Sequence, residues 1–271
     1  MLFDPYLHLR GLSARDLDDL AFFGVTGALG PCDDGVVPAT AAALRRDLDA
    51  QVGPRLAALR RAGLRGFAAV GLHPRRIPAR GLEALLHDLP DWLGRRNVAA
   101  IGEVGLDEVT PREELLLSRQ LELAASLRLP VLLTASWRAR LKITRRLIAM
   151  VREAELPPER VLIARADPGA VRMIRACGHC AALSLSARDG AVDEAVRLVR
   201  ALGPEGIALA SDAGEGGGDL LALPRAADRL RKAGLSLAVV KRVCRENALD
   251  WLGVGSGAVA SAGARGRRPA G

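Results

Sequence analysis

The chain has 271 residues, 49% of them apolar and 26% charged, with 39 Lys and Arg against 31 Asp and Glu for a formal charge of +8. That apolar share supplies a sizeable core, and no uncharged apolar run approaches the roughly 20 residues needed to cross a bilayer. The opening MLFDPYLHLR lacks the basic and apolar regions of a signal peptide, so a soluble, cytoplasmic protein with no membrane partner is expected.

The predicted elements alternate from the start. Residues 2–8 read as a strand, 14–23 as a short amphipathic helix, 24–29 as a strand, 41–62 as a helix and 66–72 as a strand ending in Gly-Leu-His-Pro. A helix follows over 82–94, then a strand over 98–104 and a helix over 111–128. The rhythm continues with a strand over 130–134, a helix over 139–155, a strand over 160–165, a helix over 168–177 and a strand over 181–186. A helix over 190–202, a strand over 206–211 and a helix over 220–234 complete eight strand–helix units. Long helices between strands imply parallel pairing, and eight such units are the number that close a (β/α)₈ barrel of α/β class, with a doubly wound open sheet as the structural competitor. A single domain over 1–253 is expected. A last helix, 237–252, should pack on the outside, and the Gly-rich, basic stretch 254–271 reads as a disordered tail.

Nearly all the basic residues are arginine, Lys142, Lys232 and Lys241 being the only lysines, and they are spread thinly. A nucleic-acid partner is compatible with this charge but not established by it, and 3% aromatic content argues against a stacking platform for single strands. Cys177-Gly178-His179-Cys180 spells a C-x-x-C pair. Its helix precedes the motif and its strand follows, so the thiols lack the helix N-terminus that activates redox cysteines, and no redox role is expected.

The stretch that organises the chain is IGEVGLD, residues 101–107, an apolar strand ending in one carboxylate between glycines. A buried carboxylate is costly without a cation, so Glu103 should have a partner. In barrels of this class the site lies at the C-terminal strand ends. Those ends carry Tyr6, His8, His73, Glu103, Thr134 with Arg138 beyond it, Arg165 and Asp212.

DPYLH at 4–8 resembles the D-x-H-x-H opening of the TatD-related metal-dependent hydrolases. GLHP at 71–74 is similar to their G-x-H-P turn, and 101–107 to their G-E-x-G-L-D signature. QLELA at 120–124, LPV at 129–131, Ser211-Asp212 and Asn247 fall where that family has comparable residues. The resemblance covers roughly 1–253. It implies a (β/α)₈ barrel, a hydrolytic activity on phosphoesters or DNA, and a two-metal centre. The family's ligands are two His from the first strand, a bridging Glu from the fourth, a His from each of the fifth and sixth, and an Asp from the eighth. His8, Glu103 and Asp212 match, whereas Tyr6, Thr134 and Arg165 stand where three of the histidines belong.

Three ligands and water can hold a catalytic Zn²⁺, so the resemblance allows one weakly held divalent metal, Zn, Mn or Mg, on His8, Glu103 and Asp212, with Asp212 as general base. Arg165 argues the other way. A guanidinium about 4 Å from a divalent ion repels it by roughly 8 kcal/mol at an effective dielectric of about 20. The leading expectation is therefore a TatD-like protein that has lost most of its metal centre and holds no metal. It would act as a partner subunit for another protein, or as a receptor for a small anionic ligand near His73, Arg138 and Arg165. A single-metal hydrolase and a nucleic-acid binder are the alternatives. Asp33, Asp34 and Asp107 are further carboxylates that could repair the site.

Overall fold

The computed structural model describes residues 1–32, 38, 40–78, 80–136, 139–186, 189–214 and 218–255. Eight strands form one sheet in sequential order, each parallel to the next: β1 Leu2–Asp4, β2 Val25–Gly30, β3 Arg65–Val70, β4 Val98–Leu106, β5 Val131–Ala135, β6 Val161–Ala164, β7 Cys180–Ser184 and β8 Ile207–Ala210. Around them run α1 Ala14–Phe22, α2 Ala41–Ala50, α3 Leu56–Arg61, α4 Leu82–Leu93, α5 Pro111–Leu127, α6 Arg140–Glu153, α7 Val171–Ala176, α8 Ala191–Leu202 and α9 Ala222–Lys232. Helix starts follow from local chemistry. Ser13 and Asp16 form a reciprocal capping box for α1, and Thr110 caps α5 ahead of Pro111.

The first strand is shorter than the 2–8 expected, because Pro5 has no N–H to give a ladder. The chain nevertheless stays extended across the C-terminal end of the sheet. Leu7 N donates to Leu29 O (3.1 Å) and His8 N to Ala213 O (2.9 Å), while Asp212 N donates to Tyr6 O (3.1 Å). These bonds draw the end of β8 to the chain after β1 and nearly close the barrel. Asp4 works at the same seam: its Oδ1 accepts from Tyr6 N (3.1 Å) and Ser211 N (3.2 Å). Complete burial pushes its carboxyl up to about 6, against the lowering effect of the hydrogen bonds from Ser211 and Tyr6.

The expected helix 41–62 is broken into α2 and α3 by a wider π-type turn over Gln51–Arg55. Pro54 lies within it and cannot supply the N–H of the α-helical pattern. The last helix also departs from expectation. It forms α10 Leu237–Lys241, a π-type turn over Arg242–Glu246 and α11 Asn247–Trp251. Ala248, Leu249, Trp251 and Leu252 join one buried cluster with the barrel-lining Phe3, Phe67, Leu132 and Leu162. Many lining residues are only alanine, among them Ala69, Ala100, Ala164, Ala182, Ala208 and Ala210. The strands alone leave the barrel centre underfilled, so the last helix seals its N-terminal end. Burying one such indole removes about 150 to 250 Å² from water, a gross gain of about 4 to 6 kcal/mol. Trp251 Nε1 donates to Arg160 O (3.1 Å), and Asn247 Nδ2 to Pro204 O (2.7 Å) and Ile207 O (2.6 Å). Of the expected tail only Val254 and Gly255 are described, and 256–271 lie outside the described residues. No described helix is long and apolar enough to cross a membrane.

Candidate functional site

The sequence places one polar residue after another at the C-terminal strand ends, and the barrel gathers them at one mouth. The signature glycines explain how Glu103 reaches it. A Cβ on Gly102 would lie 2.5 Å from the Leu132 side chain, and one on Gly105 only 2.0 Å from Thr134 O. β4 can therefore press against β5 only with glycine on both sides of the carboxylate, which puts Glu103 inside the barrel with no solvent exposure. Gly214 serves the opposite wall: a Cβ there would meet His8 O at 2.0 Å, so glycine lets the loop after Asp212 lie against His8.

Arg165 directly follows β6 and Asp212 lies two residues beyond β8, and both adopt left-handed φ values, 50° and 54°. This conformation is costly for a residue with a side chain. Their mutual contacts oppose that cost. Arg165 Nε lies 3.2 Å and 3.1 Å from the two Asp212 oxygens, and Nη2 lies 3.1 Å from Oδ1. Arg165 Nη1 is 3.9 Å from Glu103 Oε1, and its guanidinium carbon sits 5.2 Å from the centre of the Tyr6 ring.

His8 completes the group. Its Nε2 is 3.2 Å from Asp212 Oδ1 and 3.3 Å from Arg165 Nη2, and Tyr6 meets it edge to face at 5.0 Å. Burial pulls the His8 pKa down, but the hydrogen bond to Asp212 and the charges of Glu103 and Asp212 outweigh it and leave it raised. Burial pushes Asp212 up, yet the hydrogen bonds from His8, Arg165 and Ser184 and the Arg165 charge hold its carboxyl below the usual range. On the far side His73 Nε2 stands 4.0 Å from Glu103 Oε1. Its Nδ1 accepts from Arg75 N at 3.3 Å, so the ring proton belongs on Nε2, facing the carboxylate. Donor and acceptor groups thus alternate across the mouth, from His73 Nε2 through Glu103, Arg165 and Asp212 to His8.

Thr134 is buried beside β4, and its hydroxyl has no hydrogen-bond partner among the described residues. Asp107 is partly exposed and lies 3.8 Å from Arg75 rather than in the mouth. Arg138, Asp33 and Asp34 lie outside the described residues. Two contributors were not singled out from the sequence. Ser184 Oγ donates to Asp212 Oδ2 at 2.5 Å, and Asp4 ties the seam beneath. The signal for Ser184 was present: in Leu183-Ser184-Leu185-Ser186 polar residues recur at the strand period of two. The cysteine pair lies at the other end of the barrel, Cys177 at the C-terminus of α7 and Cys180 at the start of β7, both free thiols. Burial pushes the Cys180 thiol up to about 12, which leaves it protonated and unreactive.

With this geometry in hand, comparison with known proteins is informative. The model of the TatD related DNase family matches residues 45–162. An uncharacterized metal-dependent hydrolase of Methanocaldococcus jannaschii is 25% identical over 234 residues, covering 86% of this chain and 92% of its own. The crystal structure of a TatD-like protein from Archaeoglobus fulgidus superposes with a TM-score of 0.78 at 24% identity, over 93% of this chain and all of that one. The phosphotriesterase homology protein of Escherichia coli, solved with phosphate in its active site, gives 0.71 at 15% identity over 93% and 98%. The resemblance to TatD-related proteins is borne out. With it the eight-stranded parallel barrel stands as a TatD-like fold.

The two-metal centre of TatD-related proteins does not fit the residues present here. His8 Nε2 and Asp212 Oδ1, both metal donors in the ligand set that the resemblance implies, face one another and the Arg165 guanidinium. Among the described residues no three His, Cys, Asp or Glu converge on a point where they could hold an ion.

Proposed function

We propose that this chain is a TatD-like barrel that works by binding, as a partner subunit or ligand-binding protein, with the Arg165 guanidinium supplying the positive charge that a metal supplies in a hydrolytic relative. The supporting observation is the three-point contact of Arg165 with Asp212, with Glu103 only 3.9 Å from the same guanidinium. A guanidinium stays protonated in proteins and neutralises a carboxylate without activating water. Glu103 and Asp212 carry two negative charges, and Arg165 with a protonated His8 carries two positive ones, so the mouth is neutral while His8 holds its proton.

This tally bears on the choice of ligand. Arg165 directs three donor contacts at Asp212, which favours a protein partner or a neutral molecule over a small anion. A single-metal phosphoesterase on His8, Glu103 and Asp212 would require Arg165 to leave its carboxylates. Two measurements on the full chain separate the readings. Under the binding reading, Zn²⁺ or Mn²⁺ leaves the thermal midpoint unchanged and no phosphodiester is hydrolysed. A metal at one hundred times its dissociation constant would instead add about 2.7 kcal/mol, a shift of a few degrees. Such a shift, lost in His8→Ala and accompanied by hydrolysis, would establish the hydrolase.

A further inference from the structure

α1 ends in an exposed aromatic pair that the mouth does not explain. Phe22 and Phe23 are 83% and 48% exposed in a chain with only four phenylalanines. Single apolar residues on a surface are ordinary, but two adjoining rings in water are informative. They pack edge to face, 5.2 Å apart at 85°, and form one projecting knob. Asp18 and Asp19 stand four and three residues before Phe22, on its face of the helix, and neither makes an ion pair among the described residues. Residues 14–23 hold one base, Arg15, and three aspartates, of which Asp16 is engaged in the Ser13 cap. Arg60 and Arg61 end α3, which packs against α1, but no ion pair joins them to Asp18 or Asp19. The knob is therefore apolar at its tip and acidic at its root.

Beside it lies a surface of opposite character. An open groove of about 710 Å³ follows α9, with Phe23 at one side and Val192, Leu221 and Pro224 supplying apolar wall. Arg229 bonds Asp193 at 2.7 Å and Arg200 donates to Ala233 O, so α8 and α9 lie side by side. Their acids gather toward their first turns, where Asp189 precedes α8, Asp193 and Glu194 open it and Asp219 precedes α9. The last turns, residues 196–202 and 228–234, carry Arg197, Arg200, Arg229, Arg231 and Lys232 against one carboxylate, Asp228. Asp228 holds Lys232 at 2.7 Å, and Asp193 holds Arg229. Arg197, Arg200 and Arg231 are exposed and make no ion pair among the described residues. Glu205, the next carboxylate along the chain, is taken by Arg242 at 2.8 Å.

We infer that the occupant of this groove is a second copy of the chain. Two copies associate about a twofold axis, the Phe22–Phe23 knob with Asp18 and Asp19 of each set against the groove and the Arg197 and Arg231 end of α8 and α9 in the other. The chain carries both halves of the contact next to one another, which is what a self-complementary, isologous interface requires. Aromatic residues are enriched at the cores of such interfaces, and the charges around them set register and reject wrong partners. An anionic lipid surface or a nucleic-acid backbone would instead bring its own negative charge against Asp18 and Asp19, one turn from the rings. The faces of a few short helices make an interface at the small end of the range, so the dimer exchanges with monomer as concentration falls. These helices lie outside the strands, and the contact does not depend on what the mouth binds.

Sedimentation velocity of the full chain across a range of protein concentrations is the test. The mass should rise from one copy to two, and the transition should move to higher concentration as salt is raised. Phe22→Ser with Phe23→Ser should weaken association on the order of thirtyfold, the loss typical of removing a central anchor. Asp18→Arg with Asp19→Arg sets base against base, and Arg197→Glu with Arg231→Glu sets acid against acid, so each variant should stay a monomer where the parent is a dimer. Mixed in equal amounts, the two charge variants should sediment as a dimer again, because each copy then meets the opposite charge at both contacts. All six positions are exposed or partly exposed, so each variant should melt with the parent. A parent that stays monomeric at every concentration, a dimer indifferent to the Phe substitutions, or a mixture that stays monomeric would overturn the inference.

Discussion

Asp47 and Asp212 are both carboxylates gripped by arginine, but their surroundings differ. Asp47, on α2, takes Arg10 and Arg55 on one oxygen (2.8 and 2.6 Å) and Arg76 on the other (2.6 Å). Asp212 takes one guanidinium, one imidazole and one hydroxyl in a place where Glu103 lies close by with no exposure. Both carboxyls are held below the usual range, in each case because partner hydrogen bonds outweigh burial. Around Asp47 the cations are redundant and Arg10 is partly in water, so the cluster fastens α2 to the chain after β1 and β3. At the mouth nothing is redundant. One guanidinium serves two carboxylates, which is the charge arrangement of a metal site rather than of a structural clamp.

The largest effect should therefore come from Arg165→Ala. Removing one side of a buried ion pair typically costs about 3 to 5 kcal/mol, because the remaining charge has lost its partner. Denaturant unfolding should show a loss of this size, and a partial recovery in the double variant with Asp212→Asn. If Arg165→Ala unfolds with the parent, Arg165 is not the counter-ion that the proposed function requires. The complementary variant, Tyr6→His with Thr134→His and Arg165→His, restores imidazoles where the family has them. It should gain a thermal shift with Zn²⁺ or Mn²⁺ that the parent does not show.

Asp4 sharpens the comparison because it is a buried carboxylate held by backbone N–H groups and no arginine. Its folded pKa of about 6 lies above the 3.8 of the free group. The folded state therefore binds the proton more tightly, so this contribution to stability is full below 3.8 and is lost as pH rises toward 6. The loss amounts to about 3 kcal/mol at most. Asp4→Asn keeps an acceptor for Tyr6 N and Ser211 N but cannot ionise. It should match the parent near pH 4 and exceed it in stability at pH 8, and equal stabilities at both pH values would show that Asp4 does not titrate across this range. His8, also raised, likewise loses its contribution as pH rises through its folded pKa. Asp212, lowered, loses its contribution as pH falls through its own.

The sequence made the barrel legible because eight apolar runs alternated with amphipathic helices, and six of the eight strand ends were marked by a polar residue that an interior strand would not otherwise carry. Glu103, His8, Arg165 and Asp212 were readable for that reason. What escaped was set by tertiary fit. The last helix looked like one more amphipathic outer helix, and only the run of alanines inside the barrel explains why Trp251 is needed at its end. Ser184 was hidden because a serine in an apolar strand has many uses and only the rotation of β7 turns it toward Asp212. The division of α2 from α3 hung on Pro54, whose missing N–H was visible, although the wide turn that absorbs it was not.

The smallest expected effect completes the contrast between the two clusters. Arg10 makes a 2.8 Å bond to Asp47 and, with its side chain 30% exposed, keeps part of its hydration. Partly exposed ion pairs contribute about 0 to 1 kcal/mol, and Asp47 would still hold Arg55 and Arg76, the latter only 2% exposed. Arg10→Ala should therefore cost less than about 1 kcal/mol by denaturant unfolding, several times less than Arg165→Ala. Arg76→Ala should fall between them, because it empties a buried position yet leaves two cations on the carboxylate. If Arg10→Ala proved as damaging as Arg165→Ala, redundancy around Asp47 would be the wrong account of that cluster. The contrast between one guanidinium shared by Glu103 and Asp212 and three guanidinium groups around Asp47 would then carry no energetic meaning.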